Sequence, residues 1–202
     1  MAGSLPTRAF DKVRLERATV PTGSSFGRLF FSRYSDPLGF GKNASRFSDP
    51  RRRKPDNRFG VLYLGVSLKV CFVETVLRDR RNGAVGDLPV DETELKALSY
   101  AEVVVRKPLL LVDLRGDAPL RMGVPSDVAG ASSQGLARVW STAFHEHPQA
   151  PDGIIYPSRL NEETNIAVYG RAIPKLDAVR VQPLLEAAGL AEVLNVLQVA
   201  LR

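Results

Sequence analysis

The period of the apolar positions separates strands from helices along this chain. Gly60-Val-Leu-Tyr-Leu-Gly-Val66 is a continuous apolar run closed by glycines, which predicts a buried strand. Ser67 follows as a natural N-cap, and Val70, Val73 and Leu77 recur at helical spacing, so a helix is expected from Leu68 to about Arg81, ended by Asn82-Gly83. Further strands are predicted at Gly27–Ser32, Glu102–Arg106, Leu109–Leu114, Gly153–Tyr156, Asn165–Tyr169 and Val179–Val181. Leu136, Val139, Trp140 and Ala143 predict a helix from Ser132 or Ser133 to about His145, and a short helix is expected near Asp91–Leu98. Pro183 is expected to open a last helix with Leu190, Val193, Leu194, Leu197 and Leu201 on one face. Residues 1–25 mix charge with Pro and Gly and read as a loosely packed arm, and 115–131 read as loop. Strands and helices mix without a regular strand–helix repeat, which predicts a mixed α+β fold over a doubly wound sheet. The expected organisation is an arm at 1–25, one domain at 26–182 and a C-terminal helix at 183–202 packed on it.

Composition narrows the class. With 202 residues, 44% hydrophobic and 25% charged, the chain has globular proportions. Its longest strongly apolar run, Leu109-Leu-Leu-Val112, is far too short to span a bilayer. The first twenty residues lack an apolar core, so a signal peptide is not expected. Cys71 is the single cysteine, which excludes an intrachain disulfide and a cysteine zinc cluster. A cytoplasmic location follows as the expectation.

The net charge of +6 is unevenly placed. Residues 41–60 carry +5 and all the rest about +1. One basic segment in a near-neutral chain points to a single place where an anion sits. It also opens an alternative reading, a nucleic-acid-binding module using 42–58. Against that, the segment has few interleaved aromatics and no recognised reading motif. The run Arg51–Lys54 reads as a solvent-facing insertion. Gly39-Phe-Gly41-Lys42-Asn43 fails as a phosphate loop, because position 36 is Asp36 and Asn43 stands where Ser or Thr is needed. His145-Glu146-His147 reads as a solvated helix end, since i and i+2 point to different faces of a helix, and no metal site is expected.

Glu74 is the most informative residue. It flanks the Val70/Val73/Leu77 stripe, where a carboxylate is costly unless paired or used. By spacing alone it is either a surface partner of Arg78 or a functional group. The surrounding motifs bear on that choice. They are Arg28-Leu-Phe with Ser32-Arg-Tyr34, Ser45-Arg46-Phe47-Ser48, Tyr63-Leu-Gly65 and Phe72-Val-Glu74-Thr-Val76. Trp140, Asp152-Gly-Ile-Ile-Tyr-Pro-Ser158-Arg159 and Asn165-Ile-Ala-Val-Tyr-Gly170 follow in order. Over residues 26–172 this series resembles the RES-domain toxins of bacterial toxin–antitoxin modules, a family named for Arg, Glu and Ser.

The resemblance implies an α+β fold similar to ADP-ribosyltransferases, with a mainly antiparallel sheet core and flanking helices. It also implies NAD as the substrate. By matching positions, Glu74 would stabilise the oxocarbenium-like ribose formed when nicotinamide leaves. Arg28 and Arg46 would hold the pyrophosphate through their guanidinium forks. Tyr63 would line or stack on the nicotinamide, and Ser158 would hydrogen-bond the ribose or nicotinamide side. Arg33 competes with Arg28 for the first arginine position, and Arg28 fits the spacing better. The acceptor is open between water, phosphate and a protein side chain. The family further implies a cognate antitoxin with a DNA-binding helical region, and a protein target if the acceptor is a protein.

Overall fold

A computed structural model describes residues 4–51, 54–80, 82–83 and 85–202. Eight strands form one sheet in the order β1-β6-β7-β8-β3-β2-β5-β9. They are β1 (Arg17–Val20), β2 (Ser25–Phe31), β3 (Val61–Gly65), β5 (Leu98–Val105), β6 (Leu109–Asp113), β7 (Gly153–Pro157), β8 (Thr164–Tyr169) and β9 (Leu176–Pro183). Every neighbouring pair is antiparallel except β6 with β7. A second, small parallel sheet joins β4 (Leu88–Val90) to β10 (Val199–Leu201). The helices are α1 (Leu68–Phe72), α2 (Glu92–Lys96), α3 (Ala118–Met122), α4 (Asp127–Gly130), α5 (Gly135–Glu146) and α6 (Leu190–Val196). The fold class is thus mixed α+β with a mainly antiparallel sheet. Among the described residues no helix is long and apolar enough to cross a membrane.

The sheet is not uniform. β2 pairs with β5 over seven residues but with β3 only at Gly27 opposite Gly65. Beyond that point the two strands diverge and leave an opening in the sheet. Both contact residues must be small. A Cβ on Gly27 would lie 2.6 Å from the Tyr100 hydroxyl, and one on Gly65 would lie 2.5 Å from Val70 Cγ1. Side chains of β3 alternate between two cores, as a pleated strand requires. Val61 and Tyr63 face the core built with Phe47, Trp140, Phe144 and Tyr169, and Leu62 and Leu64 face the one built with Ile166, Val168 and Leu111. A third core gathers α1, α2 and α6 around Phe72, Leu95 and Leu190.

The helix expected at Leu68–Arg81 starts as foreseen, with Ser67 accepting a hydrogen bond from the Val70 N–H. It then changes character. Val73–Leu77 forms a π-helical turn, closed by Arg78 N–H donating to the Val73 carbonyl at 2.7 Å. Arg78 follows at φ 33°, ending the helix. Arg81 itself lies outside the described residues.

Three other expectations are corrected. The segment 1–25 contains β1, an edge strand of the main sheet, and Phe10, which is buried. Phe10 packs on Trp140, Phe144 and His147, and Trp140 Nε1 donates to the Ser4 carbonyl at 2.9 Å. Residues 115–131 are not all loop, because α3 and α4 lie there; each is too short to show a helical period. The single helix expected from Pro183 is broken. Pro183 ends β9, Gly189 at φ 85° precedes α6, and Gln198 at φ 50° turns the chain into β10.

Candidate active site

A cavity of about 480 Å³ fills the opening between β2 and β3. Arg28 enters it from β2, Tyr63 and Gly65 from β3, Glu74 from the π-helical turn and Asn165 from β8. The loop from Phe40 to Arg46 forms one lip, and Ser132 with Gln134 lies at another edge. Arg78, Asp79 and Arg159 close the far side.

Glu74 is half-buried and accepts a hydrogen bond from Asn165 Nδ2 at 3.2 Å. The π-helical turn explains why the surface pairing with Arg78 is not adopted. An added residue in the turn and the positive φ of Arg78 remove the i, i+4 geometry that such a pair needs. Among the described residues no ion pair joins Glu74 to Arg78. Asn165 owes its position to strand register, since it sits opposite Gly65 in the β3–β8 ladder. Gly65 has no side chain to fill the space above the amide.

Arg28 is half-buried, and its Nη1 donates to the Pro37 carbonyl. Burial pulls its pKa down to about 10, with Asp36 opposing. It therefore stays cationic at neutral pH. Arg46 Nη1 donates to the Ala131 carbonyl at 2.8 Å, bridging the lip to the loop before α5. Burial lowers its pKa too, with Tyr156 and then Glu74 pulling the other way. Partly desolvated guanidinium groups of this kind bind anions more strongly than solvated ones do. Arg33 is exposed, stacked over Phe31 and Tyr34, and does not line the cavity.

Tyr63 lines the cavity, and its hydroxyl is engaged with Ser45 and Phe47. Ser158 is not among the lining residues. It is 1% exposed, and its Oγ accepts from Leu160 N–H at 3.2 Å. Its backbone N–H donates to the Glu163 carbonyl and its carbonyl accepts from Glu162 N–H. Ser158 thus shapes the β7–β8 loop, and the next residue, Arg159, is the one that reaches the cavity. There Arg159 is ion-paired with Asp79.

Residue types and motifs bring out Glu74, Arg28, Arg46 and Tyr63, and the structure gathers these four on one cavity. Asn165, Tyr156, Arg78 and Asp79 also line the cavity, and residue type alone does not mark them as site residues. Asn165 carries a faint signal, a polar residue opening the apolar run Asn-Ile-Ala-Val-Tyr.

Two further readings change. Arg51 is not a free solvent-facing cation, because it is ion-paired with Asp49 and Glu146. Arg52 and Arg53 lie outside the described residues. The histidines are not a solvated helix end. His145 stacks on Phe59 at 4.2 Å, and His147 is buried against Phe10.

Residues 14–191 match the family model described as the RES domain, and the chain belongs to the RES-domain family. A Sinorhizobium fredii protein named "Probable toxin y4kH" is 47% identical over 110 residues, which is 54% of this chain and 87% of that protein. The fold is similar to a chain in the crystal structure of the M. tuberculosis MbcT–MbcA toxin–antitoxin complex. The TM-score is 0.58 at 19% identity, covering 81% of this chain and 85% of that one. At that identity the likeness is one of fold.

Proposed function

We propose that this RES-domain protein is a toxin that consumes NAD. Its cavity breaks the bond between nicotinamide and ribose. The observation that carries the reading is one carboxylate, Glu74, held by Asn165 on the same wall system as two partly desolvated arginines, Arg28 and Arg46. In the proposed reaction the C–N bond electrons leave with neutral nicotinamide. Positive charge builds on the ribose C1 and ring oxygen, and the Glu74 carboxylate stabilises it. Arg28 and Arg46 hold the pyrophosphate and so place the ribose against Glu74. An acceptor hydroxyl or phosphate oxygen then bonds to C1; a hydroxyl acceptor releases a proton. Water, phosphate and a protein side chain share the first step and differ only in the second.

The relative named as a probable toxin and the fold shared with a chain of a toxin–antitoxin complex support the toxin reading. They also support a cognate antitoxin as the partner; in the proposed reading that partner carries a DNA-binding helical region. The test is nicotinamide release from NAD by the purified protein, with Glu74→Gln as control. Loss of about two or more orders of magnitude in the variant is expected. Equal release by both proteins, or none by the wild type, overturns the assignment. Product analysis then separates ADP-ribose, its 1-phosphate and an ADP-ribosylated protein.

A further inference from the structure

The Tyr63 hydroxyl is committed to the protein. It accepts a hydrogen bond from the Phe47 N–H at 2.8 Å and shares another with Ser45 Oγ at 2.9 Å. These two residues flank Arg46 in sequence. The same short segment is tied elsewhere as well. Ser45 N–H donates to Ser48 Oγ at 2.9 Å, and Ser141 Oγ donates to the Phe47 carbonyl at 2.7 Å. The Phe47 ring is fully buried, edge-on to Tyr156 at 4.9 Å.

Tyr63 is the natural anchor in this set. It sits in the middle of β3, whose ladder with β8 runs over five residues. The segment around Arg46 belongs to no strand or helix. A long side chain on such a segment loses binding strength to its own conformational freedom, unless the backbone beneath it is fixed. Burial raises the Tyr63 phenol above its ordinary value of 10, so it stays protonated and able to bridge at neutral pH.

We propose that Tyr63 is a positioning residue whose hydroxyl clamps the backbone on both sides of Arg46 and so fixes that guanidinium at the cavity wall. Its effect on ligand binding runs through Arg46. This rests on the reading that Arg46 holds the substrate's pyrophosphate. It departs from a role for Tyr63 as a ring that stacks on nicotinamide, because the two roles respond differently to loss of the hydroxyl alone.

Tyr63→Phe keeps the ring and removes the clamp, leaving the Phe47 N–H without its partner. Hydrogen exchange of the full chain is expected to rise about tenfold or more at 46–48, with β3 and β8 unchanged. Unaltered exchange there overturns the clamp. NAD affinity by calorimetry, in a cycle with Arg46→Ala, tests the consequence. Tyr63→Phe is expected to weaken NAD about tenfold in the wild-type background and to change nothing in the Arg46→Ala background. Equal losses in both backgrounds mean that the hydroxyl acts on the ligand directly, which overturns the proposal. If the wild type binds no NAD, the substrate reading falls, and the exchange experiment alone decides the clamp.

Discussion

Asn165 provides a direct probe of the site. It is buried and gives Glu74 a hydrogen bond of 3.2 Å, aimed at the group proposed to face a developing positive charge. Asn165→Ala removes that donor and leaves the strand ladder intact. A hydrogen bond to a charged acceptor contributes about 1.5–3 kcal/mol, so loss of orientation at Glu74 lowers turnover by about 10- to 100-fold. Asn165→Asp is harsher. At 3.2 Å, Coulomb's law with an effective dielectric of about 20 gives a repulsion of about 5 kcal/mol as an upper bound. Water in the open cavity screens much of it. Asn165→Asp is therefore expected to lower turnover at neutral pH by more than Asn165→Ala does, because it adds repulsion to the lost donor. The assay is nicotinamide release against pH for wild type and both variants, with thermal unfolding as the control for folding. A folded Asn165→Ala protein at full turnover refutes the positioning argument. So does an Asn165→Asp protein as active as Asn165→Ala.

Three further outcomes are expected. Burial, then Arg171 and Arg51, hold the His145 pKa down at about 4, against an ordinary 6.5. Between these values the unfolded chain binds more protons, so stability is full above pH 6.5 and falls as pH drops towards 4. After discounting for the partial exposure of the ring, the loss is about 1–2 kcal/mol; unfolding at pH 7.5 and 5 should show it, and His145→Gln should shrink the difference. Phe10→Ala should cost about 3–4 kcal/mol by denaturant unfolding, because it empties a contact with Trp140, Phe144 and His147; a loss below about 1 kcal/mol would restore the picture of a loose arm. Asp79→Asn frees Arg159 and should tighten NAD by no more than about fivefold, given the small worth of an exposed pair; weakened binding in calorimetry would show that Asp79 assists the ligand.

What the sequence discloses about the fold follows the range of the forces involved. β3, β6, β7 and β8 are legible because each is a local apolar run bounded by Gly, Pro or polar residues. β1 is not, because Arg-Ala-Thr-Val carries too little pattern, and its partner Leu109–Val112 lies about ninety residues away. Phe10 is a lone aromatic in a charged stretch, and what buries it is a helix that begins at Gly135. The π-helical turn has no compositional mark, since it differs from an α-helix by one backbone hydrogen bond. The same division holds in the site. Glu74, Arg28 and Arg46 stand out by type and by resemblance. Asn165 becomes meaningful only through its register with Gly65, and Ser158 changes meaning once its hydroxyl is seen to serve the Leu160 N–H.

Charge shows most clearly why a linear reading falls short. The segment 41–60 holds most of the net charge, but Arg51 is neutralised by Asp49 and Glu146, and among the described residues of that segment Arg46 is the cation that lines the cavity. The other lining cations come from β2, from the end of the π-helical turn and from the β7–β8 loop. Among the described lining residues, Arg28, Arg46, Arg78 and Arg159 face Glu74 and Asp79. Four guanidinium groups against two carboxylates leave the cavity with an excess of two positive charges. That equals the two negative charges carried by the pyrophosphate of the proposed substrate.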